Sequence, residues 1–589
     1  MNAVDSEYNM SLQSDAWRQF MLIQTLSHSE SSLHRFNCGN LESLKQEGVR
    51  EVLLNFHKTW YSSNIMKLTM CGKHSLEQME KWANEYFSGI QNKNVQLPDL
   101  SLPKAPWSPE NMGVLSKYKP VMDKDQLTMY WILPYCEREY KSQPLSYFSH
   151  LFGHEGENSI LSYLMKEGWA MGLSCGADHE LSVFSDFCVT IDLTEKGLEN
   201  YEKVAEAVFK YAQNIAAAGP QDFVFNETST LGKIKFDFSD KGSAVQYCVS
   251  LARTMPRFES TDDVPHLLRH RYVADTFDTE RTKQMGALLA DPANSMMFLT
   301  SKKLDEATLP LKEKWYNIQY SSEKYSDAFM KMLQHPAPAD NGKKLDLPPP
   351  NTLLPSNFDI ISAEAHYSQK PVLIEVQDSV EVWYKQDSQF KRPKGIVNLT
   401  VYHNDDGNVN ASPAKQLFHN VWKACLDEYM REFKYMADCA GLDCSISTAN
   451  PYVNITWSGY NSSLPSYTEE TAKMLQKFET AEIADIFALK KEELLMKYKN
   501  HYLQQTFRLA WAEVSSKVVP TEFECKTMTE LLKDYSYDQF KAHQAKWLKR
   551  GRQVWGFFGN IAKTDALASV KSVQPYLNLK SMNRDELID

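Results

Sequence analysis

The chain has 589 residues, of which 43% are hydrophobic and 24% charged, which is the balance of a folded globular protein rather than a disordered one. Its net charge of −11 disfavours nucleic acid as a partner, and no stretch approaches the roughly 20 apolar residues that cross a membrane. The ten cysteines are scattered without a Cys-x-x-Cys pair and no signal peptide is visible, so we expect reduced thiols and a cytoplasmic location.

The first block, residues 1–103, opens on a short helix that carries Asp5 and Glu7. The pattern then predicts a helix in "VREVLLNFHKTWYSS", a buried strand in "NIMKLTMCG" and a helix in "HSLEQMEKWANEYFSGI", where Ser75 and Gln78 form a capping box. The proline-containing stretch "QLPDLSLPKAPWSPEN" is typical of a linker. Taken alone, an acid such as Glu7 near a helix N-terminus does no more than favour the helix dipole.

The second block, residues 104–334, is predicted to contain the strand "QLTMYWILP", a helix pair that stops at Gly168, the strand "DFCVTIDLT", two long helices and the strand "SMMFLTSKK". Residues 335–357 are proline-rich and without periodicity, which indicates a linker. The third block, residues 358–589, repeats the order with "IVNLTVYHN", a helix from Ser412 to about Ala440, the strands "LDCSIST" and "YVNITWSGY", two or three helices and "RQVWGFFGN". A duplicated α+β unit, with helices packed on an antiparallel sheet, fits this pattern best.

The most suggestive local motif is "HLFGHEG", in which His150 and His154 are four residues apart. Two histidines at this spacing on one helix face can bind zinc, but the motif is neither His-Glu-x-x-His nor His-x-x-Glu-His. Gly153 between them also suits a helix interior poorly. We therefore interpret the motif as a turn between a helix that ends near Gly153 and one that begins near Ser159.

No complete catalytic constellation is present in the sequence. The fifteen histidines form no His-x-x-Glu-His, and there is neither a phosphate-binding Gly-x-x-x-x-Gly-Lys-Ser/Thr loop nor a Gly-x-Ser-x-Gly elbow. The residues alone therefore do not assign a reaction.

Short stretches in order along the chain resemble the insulin-degrading enzyme and nardilysin family, the pitrilysin-type inverzincins. They include "NAVDSE", "SDAWR", "YSSN", "EKWANEYFS", "GHEG", "ILSYL", "KEGWA", "EKWYNIQY", "WYKQD" and "AGL". The resemblance implies pitrilysin-like α+β units, with antiparallel sheets packed with helices, in about two and a half copies. Residues 1–103 would be the C-terminal half of the first, catalytic unit, 104–334 the second and 358–589 the third, with the linker at 335–357.

The resemblance also implies two sites. In the family, His-x-x-Glu-His supplies two zinc ligands and the general base, and a glutamate in the "NAVDSE" segment, here Glu7, supplies the third ligand. The "GHEG" segment and the edge strand after it correspond to a remote substrate site that holds the N-terminal end of a peptide by β-augmentation. Its residues here would be Gly153, His154, Glu155, Gly156, Leu173, Ser174, Cys175, Gly176 and Ala177.

The departures from the family matter equally. His-x-x-Glu-His and the fourth unit are absent from this sequence, and Tyr8 stands where the insulin-degrading branch has histidine and the nardilysin branch an aromatic residue. The resemblance implies a zinc metalloendopeptidase acting on peptides, but this chain alone should neither hold zinc nor hydrolyse peptides. Three explanations remain open: part of a longer peptidase, a non-catalytic peptide-binding module or pseudoenzyme partner, and a split enzyme whose zinc helix comes from another chain.

Overall fold

The computed structural model describes residues 1–99, 104–136, 138–177, 183–239, 242–258, 263–338, 344–362, 370–387, 389–403, 411–449, 451–583 and 586. Its α-helices are α1 (Asn2–Ser11), α2 (Asp15–Leu26), α3 (Leu41–Leu44), α4 (Val49–Trp60), α5 (Leu76–Phe87), α6 (Pro144–Phe152), α7 (Ile160–Lys166), α8 (Glu195–Glu199), α9 (Tyr201–Ala218), α10 (Asp222–Asp237), α11 (Ala244–Thr254), α12 (Thr279–Ala290), α13 (Asp327–Gln334), α14 (Pro413–Tyr429), α15 (Arg431–Cys439), α16 (Leu464–Thr480), α17 (Ala484–Asn500), α18 (Thr506–Val518), α19 (Cys525–Asp534), α20 (Tyr537–Gln544) and α21 (Lys563–Leu577). None of these helices is long and apolar enough to cross a membrane.

The strands form two large sheets, one in each predicted unit. They are β1 (Val114–Tyr118), β2 (Gln126–Leu133), β3 (Ala170–Gly176), β4 (Ser185–Leu193), β5 (Ser295–Thr300), β6 (Leu311–Lys312), β7 (Gln319–Lys324), β8 (Val372–Gln377), β9 (Val380–Gln386), β10 (Lys394–Tyr402), β11 (Asp443–Ala449), β12 (Tyr452–Tyr460), β13 (Arg550–Gly559) and β14 (Lys580–Ser581). The first sheet has the order β3-β4-β2-β5-β1-β7-β6, and the second has the order β11-β12-β10-β13-β9-β8, with β14 beside β13.

Five strands of each sheet have the same order and connectivity, which agrees with the predicted duplication, whereas the strands added beyond β1 and β9 differ. In each sheet a hairpin (β3–β4, β11–β12) pairs with a central strand (β2, β10), which lies antiparallel to a further strand (β5, β13). That further strand runs parallel to β1 in the first sheet and to β9 in the second. The sheets are therefore mixed rather than purely antiparallel as predicted, with the parallel pair β1–β5 in the first sheet and the parallel pairs β9–β13 and β13–β14 in the second. The α+β fold of pitrilysin-like units is confirmed.

Alternating side chains explain how each sheet is covered. In β4 alternate residues, Phe187, Val189, Ile191 and Leu193, are fully buried in a core shared with α6, α7, α9 and α12. The corresponding face of the second sheet packs on α14, α16, α17, α19 and α21. The opposite face of the first sheet is also covered, because Tyr8 and Met21–Ile23 from α1 and α2 pack against Tyr130 and Phe298.

The helix boundaries predicted from the sequence are confirmed around α6 and α7, whereas several predicted long helices are broken into shorter ones. α6 ends at Phe152, α7 begins at Ile160, and Gly168 adopts a left-handed φ of 71° just after α7, as predicted. The helix predicted from Ser412 is broken into α14 and α15, and five α-helices, not two or three, lie between β12 and β13. The first long helix after β4 is likewise broken into α8 and α9.

The predicted strand "NIMKLTMCG" is wrong. The segment holds a short 3-10 turn at Ser63–Ile65 and otherwise has no regular structure, with Met66, Leu68 and Met70 exposed. A strand exists only when its backbone pairs with a neighbour, and no neighbouring strand reaches this segment in the described chain.

Candidate functional site

The turn between α6 and α7 places His154 in the interior. His154 is 2% exposed, and its Nδ1 accepts a hydrogen bond from the Gly156 backbone N–H at 3.1 Å. A Cβ at Gly156 would lie 2.6 Å from His154 Cε1, so the backbone can follow the imidazole closely only with glycine there. The turn is thus built around the histidine ring.

The predicted edge strand lies directly beside this turn. β3 is at the end of its sheet and pairs only with β4 in the described chain, and a register shift lies between Ala170 and Gly172. Cys175 Sγ donates to the Ser149 carbonyl at 3.4 Å, and a Cβ at Gly153 would lie 3.0 Å from that sulfur. The structure therefore places the "GHEG" turn beside the segment Leu173–Ala177, through the contact between Gly153 and Cys175.

Besides the α6–α7 turn and β3, the site has a third side, which is formed by α15 of the other α+β unit. No sequence pattern predicted this contact. The Tyr435 ring, on α15, meets the His154 ring edge-on with centroids 4.7 Å apart. Burial raises the pKa of the neighbouring Cys439 thiol to about 11 and that of Cys175 to about 12, so both are neutral thiols at physiological pH. Only the matched "AGL" at the end of α15 gave a sequence signal near this wall.

Several ionisable groups surround the two histidines. His150 Nε2 lies 3.7 Å from Glu227 Oε1, yet burial outweighs this carboxylate and lowers the pKa of His150 to about 4. Burial, with a smaller repulsion from His150, lowers the pKa of His154 to about 4 as well. Both imidazoles are therefore neutral at pH 7, and Glu227 also accepts a hydrogen bond from the Asn351 backbone N–H at 3.1 Å.

Carboxylates collect on the side of the site that faces α15. Burial raises the pKa of Glu155, against the opposing effect of Arg431, whose Nη1 lies 3.9 Å from Glu155 Oε2. Burial and the nearby Asp443 raise the pKa of Asp438 to about 6. The site thus concentrates acidic groups whose ionised forms would gain from a bound cation.

The described residues do not form a zinc site at Glu7. Glu7 is exposed on α1, whereas the adjacent Tyr8 is buried, packs edge-on against Phe36 and Tyr316, and donates to the Trp315 carbonyl. Among the described residues, no three His, Cys, Asp or Glu side chains converge as metal ligands. One exposed carboxylate does not meet the three-ligand requirement of a catalytic zinc.

Two protein-family models and several known proteins match this chain. Residues 236–531 match the family model described as the middle or third domain of peptidase M16, and residues 49–230 match the model of the peptidase M16 inactive domain. The chain is 30% identical to the insulin-degrading enzyme of Bos taurus over 98% of its length, and 30% identical to the A-factor-processing enzyme of Saccharomyces cerevisiae over 85%.

The chain spans about half the length of these relatives, 56% of the bovine protein and 48% of the yeast protein. The crystal structure of pitrilysin superposes with a TM-score of 0.71 at 21% identity, over 99% of this chain and 60% of pitrilysin, which shows the shared fold. Fold, family models and sequence identity agree: the chain belongs to the peptidase M16 family.

Proposed function

We propose that this chain is the substrate-holding part of a zinc metalloendopeptidase, binding the N-terminal end of extended peptides without cleaving them on its own. The observation that carries the proposal is the outer edge of β3, which has no strand partner in the described chain and lies beside the packed rings of His154 and Tyr435. An extended peptide can add to such an edge as a further strand, with its main-chain groups paired to β3.

The surrounding chemistry suits a peptide with a free N-terminus. A peptide amine is cationic at neutral pH, and Glu155, Glu227 and Asp438 supply carboxylates around the turn. The Tyr435 ring gives an apolar wall for the first side chains. The neutral imidazoles of His150 and His154 do not repel the amine.

Hydrolysis needs groups that this sequence lacks. A three-ligand zinc acidifies a bound water for attack on the peptide carbonyl, and His-x-x-Glu-His would contribute two ligands and the base. These must come from a segment or chain beyond these 589 residues, with Glu7 as the ligand that this chain would add. A purely non-catalytic peptide-binding module is the second candidate, and it uses the same β3 site.

The direct test is peptide binding by fluorescence anisotropy with a library-derived extended peptide and its N-acetylated form. We expect the acetylated form to bind at least tenfold more weakly, because acetylation removes the cation. In a second series, one peptide amide at a time is N-methylated. Binding should weaken at every second position only, because alternate amides of an added strand donate to β3.

The matched variants are Tyr435→Ala and Tyr429→Ala, since Tyr429 lies on neighbouring α14. We expect Tyr435→Ala to weaken binding by roughly tenfold, the effect of losing an aromatic wall of a pocket, and Tyr429→Ala to leave it unchanged. Equal binding of free and acetylated peptides, together with no effect of Tyr435→Ala, would refute the proposed site.

A further inference from the structure

A cavity of about 60 Å³ lies in the unit of the second sheet, near one end of β10 and β12. Val401 of β10 and Val453 and Ile455 of β12 form one wall, and all three side chains are buried. Helices α14, α16, α20 and α21, with the segments that follow α20 and α21, supply the other walls, mostly with Leu, Trp and Tyr side chains. Gln476 also lines the cavity and is itself exposed, so the cavity reaches the protein surface there.

The protein uses only one end of the Gln544 side-chain amide. Gln544 is 5% exposed and lines the cavity, and its Nε2 donates to the Phe478 carbonyl at 3.3 Å. This bond fixes which end of the amide is the nitrogen, because a carbonyl can only accept. The amide oxygen, Oε1, is buried and has no hydrogen-bond partner among the described residues. A buried acceptor without a partner is costly, so it would gain from a ligand that donates.

The indole of Trp547 leaves a donor in the same condition. Trp547 is 6% exposed and lines the cavity, and its Nε1 has no hydrogen-bond partner in the described part of the chain. Packing fixes the ring, whose centroid lies 4.3 Å from that of Trp422 and 5.1 Å from that of His419. The backbone N–H of Trp547 bonds the carbonyls of His543 and Gln544, which continues the helical turn of α20. Gln544 and Trp547 are thus three residues apart on one turn and lie on the same face.

The cavity therefore combines apolar walls with one donor and one acceptor. A single hydroxyl satisfies both, since its oxygen accepts from the indole N–H and its proton goes to the amide oxygen. The volume is several times the roughly 10–15 Å³ that one water requires and well below the roughly 150 Å³ that holds benzene. The enclosed space suits a hydroxyl and the first few carbons of an aliphatic chain.

The charges at the cavity favour a neutral ligand. Glu479 is the one charged residue among the described residues that line it, and its carboxylate is paired with Lys549 at 2.9 Å. A carboxylate ligand would meet Glu479 and a single neutral donor, which does not offset the cost of removing its charge from water. An ammonium ligand would compete with Lys549 for Glu479 and would leave the Trp547 donor without a partner.

We infer that this cavity binds a short-chain aliphatic alcohol, with the hydroxyl between Trp547 and Gln544 and the alkyl chain against Val401 and Val453. The described residues that line the cavity include none from β3 or the α6–α7 turn, so the site is separate from the proposed peptide site. A ligand of about four or five non-hydrogen atoms should bind with a dissociation constant in the millimolar range.

Fluorine NMR of the chain labelled with 5-fluorotryptophan tests this inference, because Trp547 and Trp422 both line the cavity. The chain has 13 tryptophans, and the signal that is lost in Trp547→Phe identifies Trp547. We expect titration with 1-butanol to move that signal, and the affinity to rise roughly fourfold with each methylene from ethanol to 1-butanol. The gain should stop in longer alcohols, because their further carbons lie outside the cavity.

The hydrogen bonds are tested with methyl propyl ether, which has the atoms of 1-butanol but no hydroxyl donor. We expect the ether to bind the parent chain about tenfold more weakly than 1-butanol does, because it leaves Gln544 Oε1 without a partner. Gln544→Met removes the acceptor and keeps the length of the side chain. In this variant 1-butanol and the ether should bind equally.

Two matched valine variants test the position of the site. Val401→Ile adds a methylene to a side chain that lines the cavity, whereas Val397→Ile makes the same change at a buried residue on the same face of β10 that does not line it. We expect roughly fourfold weaker binding of 1-butanol in Val401→Ile and unchanged binding in Val397→Ile. The inference would be overturned by a Trp547 signal that no alcohol moves, an affinity that keeps rising through 1-octanol, equal binding of 1-butanol and the ether to the parent chain, or equal binding by the two valine variants.

Discussion

Single residues set the electrostatics of the candidate site. His150 and His154 are held neutral by burial next to carboxylates that burial keeps difficult to ionise. A site with these groups would favour a cationic ligand over an anionic one, because the charge of the ligand would offset the cost of ionising Glu155 and Asp438. This preference for a cationic ligand depends on the geometry of the α6–α7 turn and on pH.

The histidines predict a loss of stability in acid. Their folded pKa values of about 4 lie below the ordinary value of 6.5, so between these pH values the unfolded chain binds more protons and stability falls as pH falls. The loss from pH 7 to pH 5 should be roughly 2 kcal/mol per histidine. In urea unfolding, His154→Asn should reduce the pH 7 to pH 5 difference by about that amount. An unchanged difference would contradict the burial of a neutral ring.

Peptide affinity has its own pH dependence. The pKa of Asp438 is raised to about 6, so its carboxylate takes up a proton as pH falls through 6 and no longer attracts a peptide amine. We expect anisotropy titrations to show weaker binding at pH 5 than at pH 7.5 for a free N-terminus. The acetylated peptide should show no such change, and a parallel change in both peptides would count against amine capture.

The glycine of the turn gives a local test. In Gly156→Ala the new Cβ would lie 2.6 Å from the buried His154 ring, so the ring must shift. We expect a loss of about 1–3 kcal/mol in unfolding free energy, with weaker peptide binding. Gly89→Ala is the matched control, since a Cβ there meets nothing within 4 Å. Equal stability of the two variants would show that the turn tolerates a different ring position.

At the scale of elements, the long periodic segments could be read from the sequence. β4 and α9 follow their predicted spacing because each buries one face against a core of its own unit. Tyr435 could not be placed in the site, since the contact between α15 and the α6–α7 turn joins residues 281 positions apart, Tyr435 with His154, and no local pattern encodes it. The predicted strand around Leu68 failed because strand formation depends on a partner, not on composition alone.

Helices α4 and α5 differ from the helices that cover the two sheets in how many residues they bury. Neither buries a residue in the described chain, whereas α14 buries seven. We expect peptide-level hydrogen exchange to be fast throughout α4 and α5 and slow in α14, because unpacked helices open locally at little cost. Strong protection of α4 and α5 in the isolated chain would mean that another surface covers their exposed Val52, Phe56 and Tyr86.

At the scale of the whole molecule, two α+β units, each built on one of the large sheets, meet where α15 contacts the α6–α7 turn. Asn351, in the segment predicted as a linker, donates through Nδ2 to the Met436 carbonyl on α15 at 2.8 Å, while its backbone N–H bonds Glu227 on α10. The predicted linker is thus hydrogen-bonded both to α10, in the unit of the first sheet, and to α15, in the unit of the second sheet. The domain limits at 103, 334 and 357 stay a prediction, as do the cytoplasmic location and the role of Glu7.

Whether this chain holds peptides without cleaving them can be decided on a single sample. The purified chain is equilibrated with zinc and an internally quenched peptide, and bound zinc, bound peptide and cleavage are measured together, with Glu7→Gln in parallel. We predict peptide binding with neither stoichiometric zinc nor cleavage, and no difference between the parent chain and Glu7→Gln. Stoichiometric zinc that is lost in Glu7→Gln, accompanied by cleavage, would contradict the proposed function.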